Sequence, residues 1–195
     1  MSSLVGNFTF VRVPVEVSSK VEVITASKSG GLPDDELRKH AENYFDNKSI
    51  DIASQQVAIG EQLRKGGMDE NAVASALSKF SDKMGGQIEI IVLALPTRQN
   101  NFQSVSIYCD GNSSFRTTGD GANQINMRAT ELAHACGHRD VAIMGECFIG
   151  RAHDDERVEW ERVSFTEADL ATNSPWVAIT ALQNVGKDTS SWSTA

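Results

Sequence analysis

Hydrophobic and polar residues alternate in several short segments, as is typical of strands with one buried face. Residues 8–17 and 20–25 show this pattern on either side of two serines, which predicts an amino-terminal hairpin. Pro14 has no N–H to donate, so the first strand is expected at an edge of the sheet. The almost uninterrupted apolar run of residues 87–95 predicts a central strand. The other predicted strands are 102–109, 141–149 and 157–165.

Apolar residues three and four positions apart predict helices elsewhere in the chain. Three consecutive helices are predicted over residues 34–47, 50–65 and 69–84. A fourth has an apolar stripe that starts at Ile125, and it is expected to end at Gly137 as a left-handed cap. Thr166 stands three residues before Asp169, in the spacing of a capping box, and Pro175 is suited to the first turn of a last helix.

Strands and helices come in blocks rather than in strict alternation. This order favours an α+β fold with a mostly antiparallel sheet and helices packed on one face. We expect residues 1–182 to form a single α+β domain that begins with the β-hairpin and the helical segment. Residues 183–195 are polar and are expected to form a flexible tail.

Composition and charge argue against several classes of partner. The chain has 195 residues, a formal net charge of −8 and no cluster of lysine and arginine, so nucleic acid is not expected as a partner. The longest apolar run, residues 90–95, is far shorter than the roughly 20 residues that cross a bilayer. Because the first residues also lack a signal-peptide pattern, no membrane association is expected. Three cysteines at unrelated spacings favour free thiols and a cytoplasmic location.

Candidate metal ligands and nucleophiles are densest in the segment HACGH, where Cys136 stands between His134 and His138. On a helix, Cys136 continues the apolar stripe, whereas His134 points to the opposite side, so the two cannot bind one ion. Gly137 is expected to end the helix and to leave His138 in a loop. The favoured interpretation is that Cys136 is a small buried hydrophobe and His138 a capping or loop residue.

The same segment resembles the metal-binding segment of the aminoacylase-like metallopeptidases, amidohydrolases in which the cysteine and the following histidine bind a metal ion. The resemblance implies Cys136 and His138 as ligands. The chain departs from the family's pattern directly afterwards, since Arg139 stands where the family has an aspartate, and no adjacent pair of glutamates follows. The alternative hypothesis is therefore a metal-binding, hydrolase-like or metal-stabilised domain that holds zinc or manganese through Cys136, His138 and His153. Otherwise no cofactor is expected.

Candidate interaction residues lie in the charged segment 153–162 and in the tail. Trp160 stands between Glu159 and Glu161, and an aromatic residue framed by charges is suited to a protein interface. A solvated strand face over a core tryptophan is the alternative. Trp192 is a further candidate contact because the polar tail has little core for it to join, although passive packing would explain it equally well.

No nucleophile, general base and oxyanion donors can be assembled at a convincing spacing, so the chain is not expected to be an enzyme. The leading hypothesis is a non-catalytic cytosolic protein-binding or assembly domain, acting as a subunit or adaptor in a larger complex. Its expected partners are other proteins or a second copy of the chain. A small-molecule sensor with a pocket between helices and sheet is a further class, for which the sequence has no specific signal.

Overall fold

The computed structural model describes residues 6–28, 35–46, 52–83, 88–111, 113, 124–157 and 160–185. The strands are β1 (Asn7–Val13), β2 (Glu22–Ser27), β3 (Ile88–Ala94), β4 (Gln103–Asp110), β5 (Cys147–His153) and β6 (Glu161–Val163). The helices are α1 (Glu36–Asp46), α2 (Ile52–Lys65), α3 (Glu70–Lys83), α4 (Met127–Ala135) and α5 (Pro175–Asn184), with 3-10 turns at Arg98–Asn100 and Glu167–Leu170. All strand pairs are antiparallel, in the order β2–β1–β5–β4–β3, and β6 also pairs with β5. The α+β class is confirmed.

β1 and β2 form the predicted amino-terminal hairpin, with Arg12 opposite Glu22. The predicted edge position of β1 is wrong, because its second side pairs with β5 from Val11 to Val13. Pro14 lies one residue beyond the end of the strand, so its missing N–H interrupts no ladder hydrogen bond. β1 therefore offers no free edge to a partner along this stretch.

The central position predicted for β3 is also wrong. Within the described part of the chain β3 pairs with β4 alone and forms one edge of the sheet. Glu89 and Ile90 are exposed, while Ile88 packs on one core and Ile91 on the other. The apolar run thus reflects a strand whose two faces are both partly covered, not a strand with neighbours on both sides.

Helices cover both faces of the sheet, whereas the sequence predicted helices on one face. Successive residues of a strand point to opposite faces, so neighbouring residues enter different cores. The face under α4 and α5, here called the α4–α5 face, has a mainly aliphatic core that includes Val11, Val13, Ile107, Leu132, Cys136, Ile149 and Val177. The face under α1, here called the α1 face, has a mainly aromatic core of Phe8, Phe10, Leu37, Ala41, Phe45, Tyr108 and Phe148.

A buried ion pair between Arg162 and Asp35 joins α1 to the sheet. The two side chains are 6% and 2% exposed. Arg162 Nε donates to Asp35 Oδ1 at 2.8 Å, and Nη2 donates to the second carboxylate oxygen and, at 2.6 Å, to the Tyr108 hydroxyl. Asp35 Oδ1 also accepts from the backbone N–H of Leu37 at 3.2 Å. One carboxylate therefore caps the start of α1 and neutralises an arginine from β6.

Gly150 of β5 allows α1 to approach the sheet closely. A Cβ atom at this position would overlap the buried side chain of Leu37 and would lie 3.6 Å from the Cβ of Phe10. The lack of a side chain here is a packing requirement rather than a backbone one.

α2 and α3 pack chiefly on each other. Gly60 lies at their contact, where an added Cβ would be 3.4 Å from Leu77 Cδ1. Arg64 and Glu70 form an ion pair of 2.7 Å across the connection between the two helices. None of the described helices is long and apolar enough to span a membrane.

Candidate ligand cavity

A cavity of about 210 Å³ lies on the α4–α5 face, between α5, the turn before β4 and the sheet. We call it the α5 cavity. Its floor includes Val105, which lies opposite Ala94 on one neighbouring strand and opposite Arg151 on the other. Trp176 and Ile179 of α5 form a wall. The cavity is thus bounded by elements from three separate parts of the sequence.

Arg151 is the charged residue among the described residues that line the α5 cavity. Its side chain is 13% exposed, and Nη2 donates to Asp169 Oδ1 at 2.8 Å. Its guanidinium carbon lies 5.2 Å from the ring centre of Phe165, a cation–π distance. Its Nε is buried and has no hydrogen-bond partner among the described residues. The guanidinium is therefore held in place while one of its donors stays unused.

Two other arginines, Arg12 and Arg128, also have a buried Nε without a hydrogen bond among the described residues. Both differ from Arg151. Nε of Arg12 lies 2.9 Å from Glu22 Oε2, and the terminal nitrogens of Arg128 donate to three backbone carbonyls, those of Pro14, Glu16 and Ser19. Neither lines the α5 cavity. Of the three arginines, Arg151 is the one that lines the cavity, and its Nη1 makes no hydrogen bond to another described residue.

The α5 wall is positioned by the predicted capping box. Asp169 Oδ2 accepts from the backbone N–H and the hydroxyl of Thr166, at 2.8 and 2.9 Å. The carbonyl of Asp169 accepts from Trp176 Nε1 at 2.9 Å. The polar edge of Trp176 is thus occupied, and its ring offers the cavity an apolar surface. Asp169 therefore fixes both Arg151 and Trp176.

The turn before β4 is organised by Asn100. Its Nδ2 donates to the carbonyls of Leu95 and Gln103 at 2.7 and 2.8 Å, and its Oδ1 accepts from the N–H of Thr97 at 2.8 Å. The next two residues, Asn101 and Phe102, both have a φ of 54°. Asparagine tolerates this left-handed conformation, but it is strained for phenylalanine. Such strain is typical of turns that position functional groups.

The turn is tied to α5 and still has free polar groups. Gln183 Nε2 donates to the Thr97 hydroxyl at 2.7 Å, which joins the end of the helix to the start of the turn. By contrast, the side-chain amides of Asn101 and Gln103 line the α5 cavity and make no hydrogen bond to another described residue. The cavity therefore combines a cation, two free amides and an aromatic wall.

Cys136 and Gly137 end α4 as the sequence predicted. Cys136 is fully buried at the helix end, and Gly137 has a φ of 98°. His138 is also buried, and its Nε2 lies 3.0 Å from the carbonyl oxygen of Leu93. Ile125 does not belong to the buried stripe, since it is 47% exposed and precedes the helix.

Of the three predicted metal ligands, Cys136 and His138 lie at the end of α4, whereas His153 lies on β5. His153 ends β5, opposite Glu161 of β6, and its ring centre lies 6.4 Å from that of Phe102. The described residues contain no group of three or more His, Cys, Asp or Glu side chains that could hold a metal ion. Zinc or manganese binding at these residues stays a prediction.

All three cysteines are free and buried. Burial raises the pKa of the Cys136 thiol to about 12, and it raises the pKa values of Cys109 and Cys147 well above the ordinary value. A thiol nucleophile has to be a thiolate, and burial disfavours that form here. These thiols are packing groups of the α4–α5 face.

Among the predicted interaction residues, Trp160 and Glu161 are described. The half-buried ring of Trp160 lies 4.9 Å from the guanidinium carbon of Arg162, so it covers the buried ion pair. Glu161 is exposed and accepts from Lys28 Nζ at 2.9 Å. Glu159 and Trp192 lie outside the described residues. A protein interface at these four residues stays a prediction.

The sequence pattern did not indicate Arg151 as a site residue, because the predicted strand 141–149 ends before it. β5 in fact continues to His153, so Cys147, Ile149 and Arg151 share one face. The signal that could have found Arg151 is this continued period of two, with a charge at a position where the pattern requires an inward-facing residue.

The chain matches no protein-family model, and no curated protein or solved structure is similar to it. Function is therefore argued from the chemistry of the site.

Proposed function

We propose that this protein is a non-catalytic binding domain that takes a small organic molecule into the α5 cavity. The observation that carries the proposal is that Arg151, whose Nη1 makes no hydrogen bond to another described residue, lines the cavity together with Trp176 and the unbonded side-chain amides of Asn101 and Gln103. An acceptor on a ligand can bond to these donors, and a hydrogen bond to a charged group contributes roughly 1.5–3 kcal/mol. Apolar walls with a few placed polar groups are typical of small-molecule sites.

The experiment is an amide NMR screen of the full chain against small organic acids, amides and alcohols. We expect hits to shift the signals of α5 and of the turn at residues 97–103, which together border the cavity. Ile179→Trp fills the cavity from its helical wall and should abolish the shifts. The matched control is Leu182→Trp on the same helix, where the side chain is 78% exposed. No hit, or hits that survive Ile179→Trp, would refute the proposal.

We also propose, as a second candidate, protein binding or self-assembly in the cytoplasm. The observation that favours it is β3, an edge strand whose Ile90 is 38% exposed and which pairs with β4 alone among the described residues. An apolar edge strand is a template for pairing with another strand. The three free cysteines suit a reducing compartment.

Native mass spectrometry of the chain tests this second candidate. We expect a multiple of the chain mass, which Ile90→Glu reduces towards the monomer because a charge on an edge strand disfavours pairing. Val23→Glu is the control, since Val23 is exposed on the other edge strand, β2. A monomer at all concentrations would exclude self-assembly.

A further inference from the structure

We propose that the ligand of the α5 cavity is a small planar carboxylic acid, bound as its carboxylate by Arg151 and packed against Trp176. This inference rests on the proposed function of the cavity and specifies its ligand class.

The lining favours an anion. Arg151 is the charged group among the described lining residues, and the other polar groups of the lining are amides and a hydroxyl. Asp169 pairs with Arg151 but is not itself a lining residue. A neutral ligand could satisfy a donor, but a carboxylate adds a charge-assisted hydrogen bond, roughly twice as strong as a neutral one.

The unbonded donors of the cavity lining are suited to a ligand with two acceptor oxygens rather than one. Asp169 accepts from Nη2 of Arg151, and Nη1 makes no hydrogen bond to another described residue. The side-chain amides of Gln103 and Asn101 lie on the same lining and can each donate. A carboxylate has two oxygens and about four acceptor sites, so it can accept from the guanidinium and from an amide together.

The apolar part of the cavity suits a flat group. Trp176 keeps its N–H on the carbonyl of Asp169, so its ring rather than its polar edge is available. Val105, Ala94 and Ile179 complete the apolar surface. A volume of about 210 Å³ holds a single small ring with its acid group, and ordinary ligand sites are larger, at roughly 300–1,000 Å³. We therefore infer a free small acid.

The test compares benzoate with benzamide, which has the same shape without the charge. In NMR titrations of the full chain at low salt, we expect benzoate to bind about tenfold more tightly than benzamide, because a charge-assisted bond replaces a neutral one. Added salt should weaken benzoate more than benzamide.

Two variants, compared with a control variant, test whether the preference for benzoate over benzamide arises in the cavity. Arg151→Lys keeps the positive charge but loses the planar guanidinium with its Nη1, and we expect it to lower benzoate affinity about tenfold. Arg128→Lys is the matched control, since Arg128 also has a buried Nε without a partner but lies outside the cavity, and it should leave binding unchanged. Gln103→Glu is nearly isosteric and places a negative charge on the lining, so it should weaken benzoate and spare benzamide. Thermal melting establishes that each variant is folded.

Three results would overturn the inference. Equal affinity for benzoate and benzamide would show a site for neutral ligands, and the proposed function would stand. Benzoate binding that Arg151→Lys and Gln103→Glu leave unchanged would place the anion elsewhere. Tighter binding of the peptide acetyl-Gly-Gly-Phe, which ends in the same carboxylate group, would show that the ligand is a protein carboxyl terminus rather than a free acid. The absence of any bound small molecule would instead refute the proposed function itself.

Discussion

Arg162 and Arg151 lie close together on paired strands but serve the two faces of the sheet in different ways. Arg162, on the α1 face, uses Nε and Nη2 on Asp35 and Tyr108, and it is 6% exposed. Arg151, on the α4–α5 face, has one acceptor, Asp169, and keeps Nε free among the described residues. The guanidinium of Arg162 stabilises the fold through these bonds, whereas Arg151 keeps a donor that bonds to no described residue.

Burial of a charge therefore does not by itself mark a functional site. The buried pair on the α1 face is complete, since it also caps α1 and is covered by the ring of Trp160. On the α4–α5 face, Arg151 has an unbonded donor and lines the α5 cavity. Substitution of Arg162 should therefore mainly lower stability, whereas substitution of Arg151 should mainly lower ligand binding.

The largest expected effect comes from Arg162→Met. It leaves the carboxylate of Asp35 buried without its cation, which we expect to lower the free energy of unfolding by about 3–5 kcal/mol. Urea unfolding measures it. The double variant Asp35→Asn with Arg162→Met removes both charges and should recover part of the loss. A loss below about 1 kcal/mol would mean that the pair is solvated and contributes little to stability.

Gly150→Ala should have the next largest effect, because the added Cβ overlaps Leu37 at the contact of α1 with β5. Overpacking of this kind costs about 1–3 kcal/mol. Gly6→Ala is the control, since an added Cβ there meets the flexible side chain of Lys28 at 3.4 Å. Equal stability of the two variants by urea unfolding would show that α1 adjusts without cost.

Alkaline pH should act on the α4–α5 face, where all three thiols are packed. Burial raises the pKa of Cys136 from an ordinary 9.0 to about 12, so the folded thiol stays neutral while the unfolded one ionises. This contribution to stability is complete below pH 9 and is lost progressively as the pH rises towards 12. Between pH 8 and pH 10 we expect wild type to lose about 1.4 kcal/mol more than Cys136→Ala. Identical losses in urea unfolding would contradict a buried, neutral Cys136.

The smallest effect on stability should come from Arg151→Met. Its pair with Asp169 is partly exposed, at 13% and 24%, so the free energy of unfolding should fall by at most about 1 kcal/mol. Benzoate binding should nevertheless be lost. A loss of stability as large as that of Arg162→Met would make Arg151 a second structural arginine and remove the contrast between the faces.

Local sequence signals predicted the elements that depend on a few neighbouring residues. The hairpin of β1 and β2, the glycine cap at Gly137 and the capping box from Thr166 to Asp169 all follow from short-range chemistry. The α+β class follows from the order of these elements. The hairpin, the glycine cap and the capping box each depend on residues that are near one another in the sequence, so pattern and spacing suffice to predict them.

Features that depend on residues far apart in the sequence were not predicted. Asp35 and Arg162 are separated by 127 positions, and no pattern in either segment indicates the other. The positions of β1 and β3 in the sheet depend on which strands pair, and their apolar patterns fit a central or an edge strand equally well. The α5 cavity brings together Ala94, Arg151 and Trp176, so no single segment carries its signature.

The insertion of β1 between β2 and β5 has a consequence for synthesis on the ribosome. Val13 pairs with Cys147, so the apolar edge of the first hairpin has no native neighbour until most of the chain has been translated. At about 5–20 residues per second, that interval lasts on the order of ten seconds, long compared with hydrophobic collapse. A chain of this topology should fold late and all at once, and its first hairpin is the segment for which a chaperone would be needed.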